Sequence, residues 1–410
     1  MYSGEMNIYD KKIIFVIALL SLGVIGGALQ PIRLFSILTI PLNIRFIAKN
    51  IKETFIFVTW FFGMLWLLYG MLALSWAPDI VSGRIELLYI FIHYNLIFTI
   101  FRYASKSYNP LMAISRGWLI CVCITSLFGI YELITNQHFY TSIVQTEQSD
   151  LGIALNGIQY KKFVATLFNN YNEYITLLSF SLPFVFFLFF KIGEIKKQIF
   201  LWIIVSLIFV FISINGSRGG MLCYIIAFFF FLKKYNLVVY KYKKTVSILV
   251  CLILSSFILS FREMIFGDIS ERLMNTSSIE DFGRSSIYNK AFELYIESNY
   301  MGVGPWGYQE IVGFAPHNLW LEILSQYGVV IFIPLMILLI IVFNRIIRLS
   351  KNTNGSCIFF VLIIASFINS GYLHFPFTWI YFASILTYYM VLNNKFINYE
   401  NSYKYPKTQW

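Results

Sequence analysis

Pro316-His317-Asn318-Leu-Trp-Leu-Glu322-Ile-Leu-Ser-Gln-Tyr327-Gly328-Val-Val-Ile-Phe-Ile-Pro334-Leu-Met-Ile-Leu-Leu-Ile-Ile-Val-Phe343 is the stretch whose reading decides the fold. After Glu322 it carries no charge, and it is long enough to cross the roughly 30 Å hydrocarbon layer of a bilayer as a helix. Its opening tripeptide is polar, so the chain enters the membrane here. Upstream, residues 267–318 hold Gly283-Arg284 and Gly302-Val303-Gly304-Pro305, and before them 245–266 is apolar again. The polar island between two spans is therefore an extramembrane loop. It is the first place to look for chemistry.

The rest of the chain repeats the apolar pattern. Of 410 residues, 58% are hydrophobic and 12% charged, with mean hydropathy +0.70. A soluble domain carries about 25% charged residues. Apolar runs recur at 13–29, 32–48, 54–76, 85–101, 111–134, 163–190, 199–214, 219–232, 245–266, 319–344, 356–371 and 376–392. Lipid offers backbone groups no partners, which leaves helices as the means of crossing. The expectation is an all-α polytopic membrane protein of about twelve transmembrane helices. It forms a single integral membrane domain over 1–410, with a first outer loop at 135–162 and a larger one at 267–318, between spans nine and ten. No small-residue cleavage site marks a removable signal near the N-terminus, so the first span reads as an anchor.

Lys and Arg placement sets the orientation. Short connections around Lys49, Lys106, Lys196-Lys197, Lys233-Lys234, Lys243-Lys244 and Arg345 are strongly basic, whereas the alternate loops hold fewer cations. Both termini are expected in the cytoplasm and the polar island outside. The net charge of +11 follows from this arrangement and gives no reason to expect a nucleic-acid partner. Cys121, Cys123, Cys223, Cys251 and Cys357 all lie in apolar runs, as small buried side chains do, and their spacing suggests neither a metal site nor disulfides.

Three residues stand out. Arg218, in Asn215-Gly216-Ser217-Arg218-Gly219-Gly220, sits where one span hands over to the next. A guanidinium there is costly unless paired, and flanking glycines let a ligand approach the backbone. The plainer alternative is an arginine snorkelling to headgroups. Arg284 opens the segment Arg284–Asn299, in which Ile287, Ala291, Leu294 and Tyr295 fall at helical spacing, predicting an amphipathic helix on the membrane or over the bundle mouth. An arginine at a helix start opposes the macrodipole unless an anion sits there. His317 lies between Pro316 and Asn318 and suits proton transfer near neutral pH. His93, His138 and His374 show no partner pattern in the sequence. Asn299 to Gly313 is rich in glycine and reads as a shaped loop.

The blocks Gly283-Arg284-Ser-Ser-Ile-Tyr288, Gly302-Val-Gly304-Pro-Trp-Gly-Tyr and Pro316-His317-Asn318-Leu-Trp-Leu-Glu322 through Gly328 resemble the O-antigen ligase and Wzy-type polymerase superfamily. Ser217-Arg218-Gly219 and Thr166-Leu-Phe-Asn169-Asn170-Tyr-Asn172 fit the same pattern. The resemblance covers roughly 160–345, and Glu173 departs from the small or apolar residue expected there. It implies a GT-C-like, metal-independent, inverting glycosyltransferase that needs no cofactor. The donor would be an undecaprenyl-pyrophosphate-linked glycan, and the acceptor a sugar hydroxyl. Arg218 and Arg284 would bind the pyrophosphate and stabilise charge on it. His317 would accept the hydroxyl proton or position the pyrophosphate. Asn318, Asn172, Tyr288 and Gly304 would complete the substrate site.

Within that superfamily two activities compete. A polymerase joins lipid-linked oligosaccharide repeat units at the outer face of the cytoplasmic membrane, whereas a ligase transfers finished polymer to lipid A core. The richness in Ile, Lys, Asn, Phe and Tyr suggests a low-GC genome, many of which lack lipopolysaccharide, and favours the polymerase. Its partners would be the lipid-linked oligosaccharide and membrane lipid, together with a chain-length regulator and a flippase. A flippase or other transporter is the third reading. Transporters place ionisable groups near the membrane midplane, and few occur there.

Overall fold

The computed structural model describes residues 6–139, 163–192, 194–236, 279–349 and 354–393. Its helices are α1 Ile8–Ala18, α2 Pro31–Asn50, α3 Thr54–Ala73, α4 Ile80–Ala104, α5 Pro110–Thr135, α6 Tyr171–Phe189 and α7 Ile195–Ile214. They continue with α8 Arg218–Asn236, α9 Ile279–Glu297, α10 Gly307–Val312, α11 Leu319–Leu349, α12 Asn354–Ala365 and α13 Pro376–Leu392. Among the described residues, seven helices are long and apolar enough to cross a membrane (α2 to α7 and α11), and Gly355–Ala365 and Pro376–Leu392 are shorter apolar helices. The chain is a multi-pass membrane protein. The predicted ninth span, 245–266, lies outside the described residues.

Local chemistry fixes many helix starts. Asn7 and Asp10 form a reciprocal capping box on α1, and the Asp79 carboxylate accepts from Val81 N and Ser82 N at the start of α4. Pro31, Pro110 and Pro376 occupy first helical positions, where the missing N–H costs nothing.

Contacts sort the helix ends into two groups. Asn7 Nδ2 donates to Lys106 O, Phe55 rings lie 5.9 Å from Phe101 and 4.6 Å from Tyr389, and Arg345 Nε donates to Asn393. These residues mark the basic end of the bundle. At the opposite end, Val24 N donates to Leu167 O, Arg33 Nη2 to His374 O, and Trp76 Nε1 to Gly302 O. Between the ends runs one apolar core, with Trp118, Phe180 and Tyr381 buried at its centre.

Several predicted spans change at that second end. The first, 13–29, starts earlier, at Ile8, and gives way to a 3-10 turn at Leu19–Leu22. The reason is Gly23: its φ is 53°, and a Cβ there would lie 2.0 Å from Leu167 O. The sixth, 163–190, becomes helical only at Tyr171, because Glu132 accepts from Ala165 N and Thr166 N and Asn215 pairs with Val164 N and O. The eleventh, 356–371, stops being helical after Ala365, and Tyr372 Oη accepts from Ile368 N and Asn369 N. Irregular backbone is tolerated at membrane depth only where protein groups satisfy it. Here buried side chains do so, and Val24, Asn169 and Gly371 in or beside these segments line an open pocket.

The α11 helix holds its own break. Gly328 adopts φ 58° and ψ −161°, and a Cβ there would meet Tyr300 O at 2.2 Å. Val329 N donates to Tyr300 O, while Val303 N and Gly304 N donate to Ser325 O and Gln326 O. The polar loop thus clips into the kink of the span that follows it. As predicted, 299–313 is a shaped loop, with the short helix α10 added. The amphipathic helix begins earlier than expected, at Ile279, and its Ala291 and Leu294 pack against Tyr308 in a small second core.

Candidate active site

Two sequence blocks meet at residues 366–371, and a third is tied to one of them. Leu319 N donates to Ser366 O at 2.9 Å, which places His317 two residues from this segment's contact. Gly219, next to Arg218, packs so tightly against Ile368 that a Cβ would lie 2.8 Å from its Cγ1. Tyr288 Oη donates to the carbonyl of His317 at 3.2 Å, which ties α9 to the loop before α11. Arg284 stands one turn before Tyr288 on α9, and its side chain lies outside the described residues. Arg218 is the first residue of α8 and is exposed. The starts of α8 and α11 therefore converge at one end of the bundle, and the middle of α9 is tied to the loop before α11.

Other predicted site residues take structural parts. Asn318 is buried, and its Oδ1 accepts from Trp320 N at 2.8 Å and Leu321 N at 3.2 Å, capping α11. Gly304 has φ 90° and faces Ala73 O and Ala77, so it allows close packing of loop on α3. Gly219 and Gly220 fit against Ile368 and Ile175, filling the room that sequence reasoning gave to a ligand. Asn172 is half-buried, and its carbonyl accepts from Thr176. The departure at Glu173 has a local reason. Asn170 Oδ1 accepts from Glu173 N, while the Glu173 carboxylate accepts from Asn170 Nδ2 and Asn169 N. The pair caps α6.

An open pocket of about 970 Å³ lies beside this convergence, with Ala315 and Gly371 on its wall. Sequence reading missed it, because its residues come from the first hundred positions, from Asn169, and from 306–315 and 371–375. Arg33 is its buried cation, 7% exposed. Nε donates to His93 Nε2 at 3.1 Å, Nη1 to Gly27 O at 3.3 Å and Nη2 to His374 O at 2.9 Å, and the guanidinium lies 4.0 Å over the Tyr89 ring. His374 faces Glu86 at 3.4 Å, and Tyr327 Oη donates to the other Glu86 oxygen at 2.6 Å. His93 and His374 thus have partners that no spacing could reveal. So has His138, which stacks on Phe163 at 4.1 Å and lies 3.6 Å from Glu132. The available signal was Arg33 itself, a lone arginine at the head of an apolar run.

Of the cysteines expected in the core, Cys121, Cys223 and Cys357 are buried, while Cys123 is half-buried. Cys251 lies outside the described residues. Among the described residues no cluster of His, Cys, Asp and Glu has the makings of a metal site.

Fold and site together define a multi-pass helical membrane protein whose polar, histidine-bearing site opens at one end of the bundle. Residues 202–336 match the family model described as O-Antigen ligase. The teichuronic acid biosynthesis protein TuaE of Bacillus subtilis (strain 168) is 28% identical over 160 residues, covering 38% of this chain and 30% of that relative. The chain therefore matches under a third of the relative's own length. Both matches support the O-antigen ligase and polymerase superfamily. The family segment contains Arg218, Arg284, Tyr288, Gly304, His317 and Asn318; Asn172, Arg33, Tyr89 and His374 lie outside it.

Proposed function

We propose that the protein is a polysaccharide polymerase that joins undecaprenyl-pyrophosphate-linked oligosaccharide units at the outer face of the cytoplasmic membrane. The observation that carries the reading is that the Arg218 and His317 segments both contact residues 366–371, while Tyr288 ties α9, the helix carrying Arg284, to the His317 backbone. The concentration of Lys and Arg at the other end supports a cytoplasmic location for that end, with the site outside. N- and C-termini would then be cytoplasmic.

The chemistry follows from the residue types. The acceptor hydroxyl oxygen attacks the anomeric carbon of the donor sugar, and the bond from that carbon to the pyrophosphate oxygen breaks. Undecaprenyl pyrophosphate leaves with the electron pair, and the configuration inverts. Guanidinium groups held at the membrane surface stabilise the growing phosphate charge, in a role otherwise filled by a divalent metal. Arg218 and Arg284 take that part. His317 accepts the hydroxyl proton, with Tyr288 fixing the backbone that carries it. The richness in Ile, Lys, Asn, Phe and Tyr favours assembly of a polymer over transfer to lipid A core, the ligase reading.

In cells, His317→Ala should leave single repeat units on the lipid carrier where wild type gives a ladder of lengths. Purified wild type with lipid-linked single units should build polymer in excess chelator, and the variant should not. A full ladder from the variant, or wild-type activity lost on chelation, overturns this mechanism.

A further inference from the structure

We propose that the pocket walled by Trp306, Tyr89, His374, Gln30 and Gln309 binds hydroxyl-bearing sugar residues of the acceptor glycan, an assignment that rests on the polymerase reading. The pocket lies at the upper end of the roughly 300–1,000 Å³ range of small-molecule sites. Its walls combine aromatic rings with amides. Trp306 stands over the site with its ring 4.9 Å from that of His374, offering an apolar face to the C–H side of a sugar ring.

The amides supply the second observation. Gln30 and Gln309 are each 5% exposed. Among the described residues Gln30 Oε1 and Gln309 Nε2 have no hydrogen-bond partner, although Gln309 Oε1 accepts from Gln326 Nε2 at 2.9 Å. A buried amide atom left without a partner is costly, and each such group in a folded protein calls for an explanation. One of these atoms accepts and the other donates. A sugar hydroxyl does both.

Charge separates this pocket from a pyrophosphate site. Arg33 directs Nε, Nη1 and Nη2 to His93, Gly27 and His374, so its fork is already engaged by the protein. Glu310 adds a negative charge at the exposed rim. The arrangement suits neutral hydroxyls better than an anion. Residues 315–317 and 366–371 run from the pocket wall to the Arg218 side. In an inverting displacement the nucleophile and leaving group approach opposite faces of the sugar carbon. A pocket for the neutral acceptor that is separate from the Arg218 segment is compatible with that requirement.

The test uses the full chain in detergent and, as probe, the oligosaccharide released by mild acid from the host's own lipid-linked repeat unit. Calorimetry should show wild type binding this pyrophosphate-free sugar, with Trp306→Ala weakening it at least tenfold. Phe314 lines the same pocket and is 48% exposed, so Phe314→Asp alters the site without burying a charge and should weaken binding severalfold. Arg218→Ala should bind the sugar as wild type does while polymer synthesis is lost. No binding by wild type, or wild-type affinity in both pocket variants, overturns the proposal. If Arg218→Ala still makes polymer while the pocket variants lose the sugar, the polymerase reading fails and the sugar site stands.

Discussion

Arg33 and Arg218 both stand near glycines at the same end of the bundle, and hydropathy marks each as an arginine in or beside an apolar run. Their surroundings differ. Arg33 is buried, points three nitrogens at His93, Gly27 and His374, and stacks over Tyr89. Arg218 opens a helix with its side chain exposed. The first binds the start of α2 to α4 and to the turn before α13. The proposed mechanism gives the second a part in binding the donor's pyrophosphate. An arginine beside lipid is thus a marker of cost, and what offsets that cost decides whether the role is structural or chemical.

Substitution should separate the two. Arg218→Ala should lower polymer synthesis about 100- to 1,000-fold, the usual effect of removing one charge-stabilising donor, with little change in melting temperature. Arg218→Lys keeps the charge but not the fork, and should fall between. Arg33→Ala should behave oppositely, costing about 3 kcal/mol because it strips buried groups of their partner, and lowering both melting temperature and protein level in the membrane. An Arg33 variant of normal stability, or a destabilised Arg218 variant, breaks the contrast.

The backbone at the kink sharpens it further. Gly328→Ala places a Cβ against Tyr300 O in a left-handed conformation and should cost about 2 kcal/mol. Because the same kink holds the loop bearing Gly302 and Gly304, activity should fall together with stability, as measured by melting and polymer assay on one preparation. Tyr288→Phe removes the hydrogen bond from Tyr288 Oη to the His317 carbonyl. It should cost about 1 kcal/mol and several-fold in rate, with the melting temperature nearly unchanged. A rate equal to wild type would show that α9 does not position His317.

The smallest effect concerns pH. Hydrogen bonds from the Ser82 side chain and from Val81 N hold the exposed Asp79 carboxyl below its ordinary value of 3.8. A depressed carboxylate stabilises the fold above the unfolded value, and that contribution is lost as pH falls through the folded one. Acid melts of Asp79→Asn should therefore show a slightly flatter decline below about pH 4, since an amide caps α4 without ionising. A steeper decline would mean that Asp79 is not the cap that titrates.

The sequence by itself determined that this is a helical, multi-pass membrane protein, because apolar runs of span length admit few other structures in lipid. It also determined the blocks around Arg218, Arg284 and His317, where polar residues stand out against hydrophobic surroundings and keep their order along the chain. Only the tertiary structure decided which glycines serve packing and which polar residues cap helices. Asn318 shows the difficulty: a capping asparagine and a ligand-binding one look alike in sequence, and the distinction lies in the N–H groups of Trp320 and Leu321. The pocket was equally hidden. Arg33, Tyr89, Trp306 and His374 are joined by folding across hundreds of residues, and the span ends at 23, 163–170 and 366–371 had to lose their helical form to make room. Hydropathy measures a residue's preference for lipid, and that preference is blind to which neighbour will satisfy its backbone.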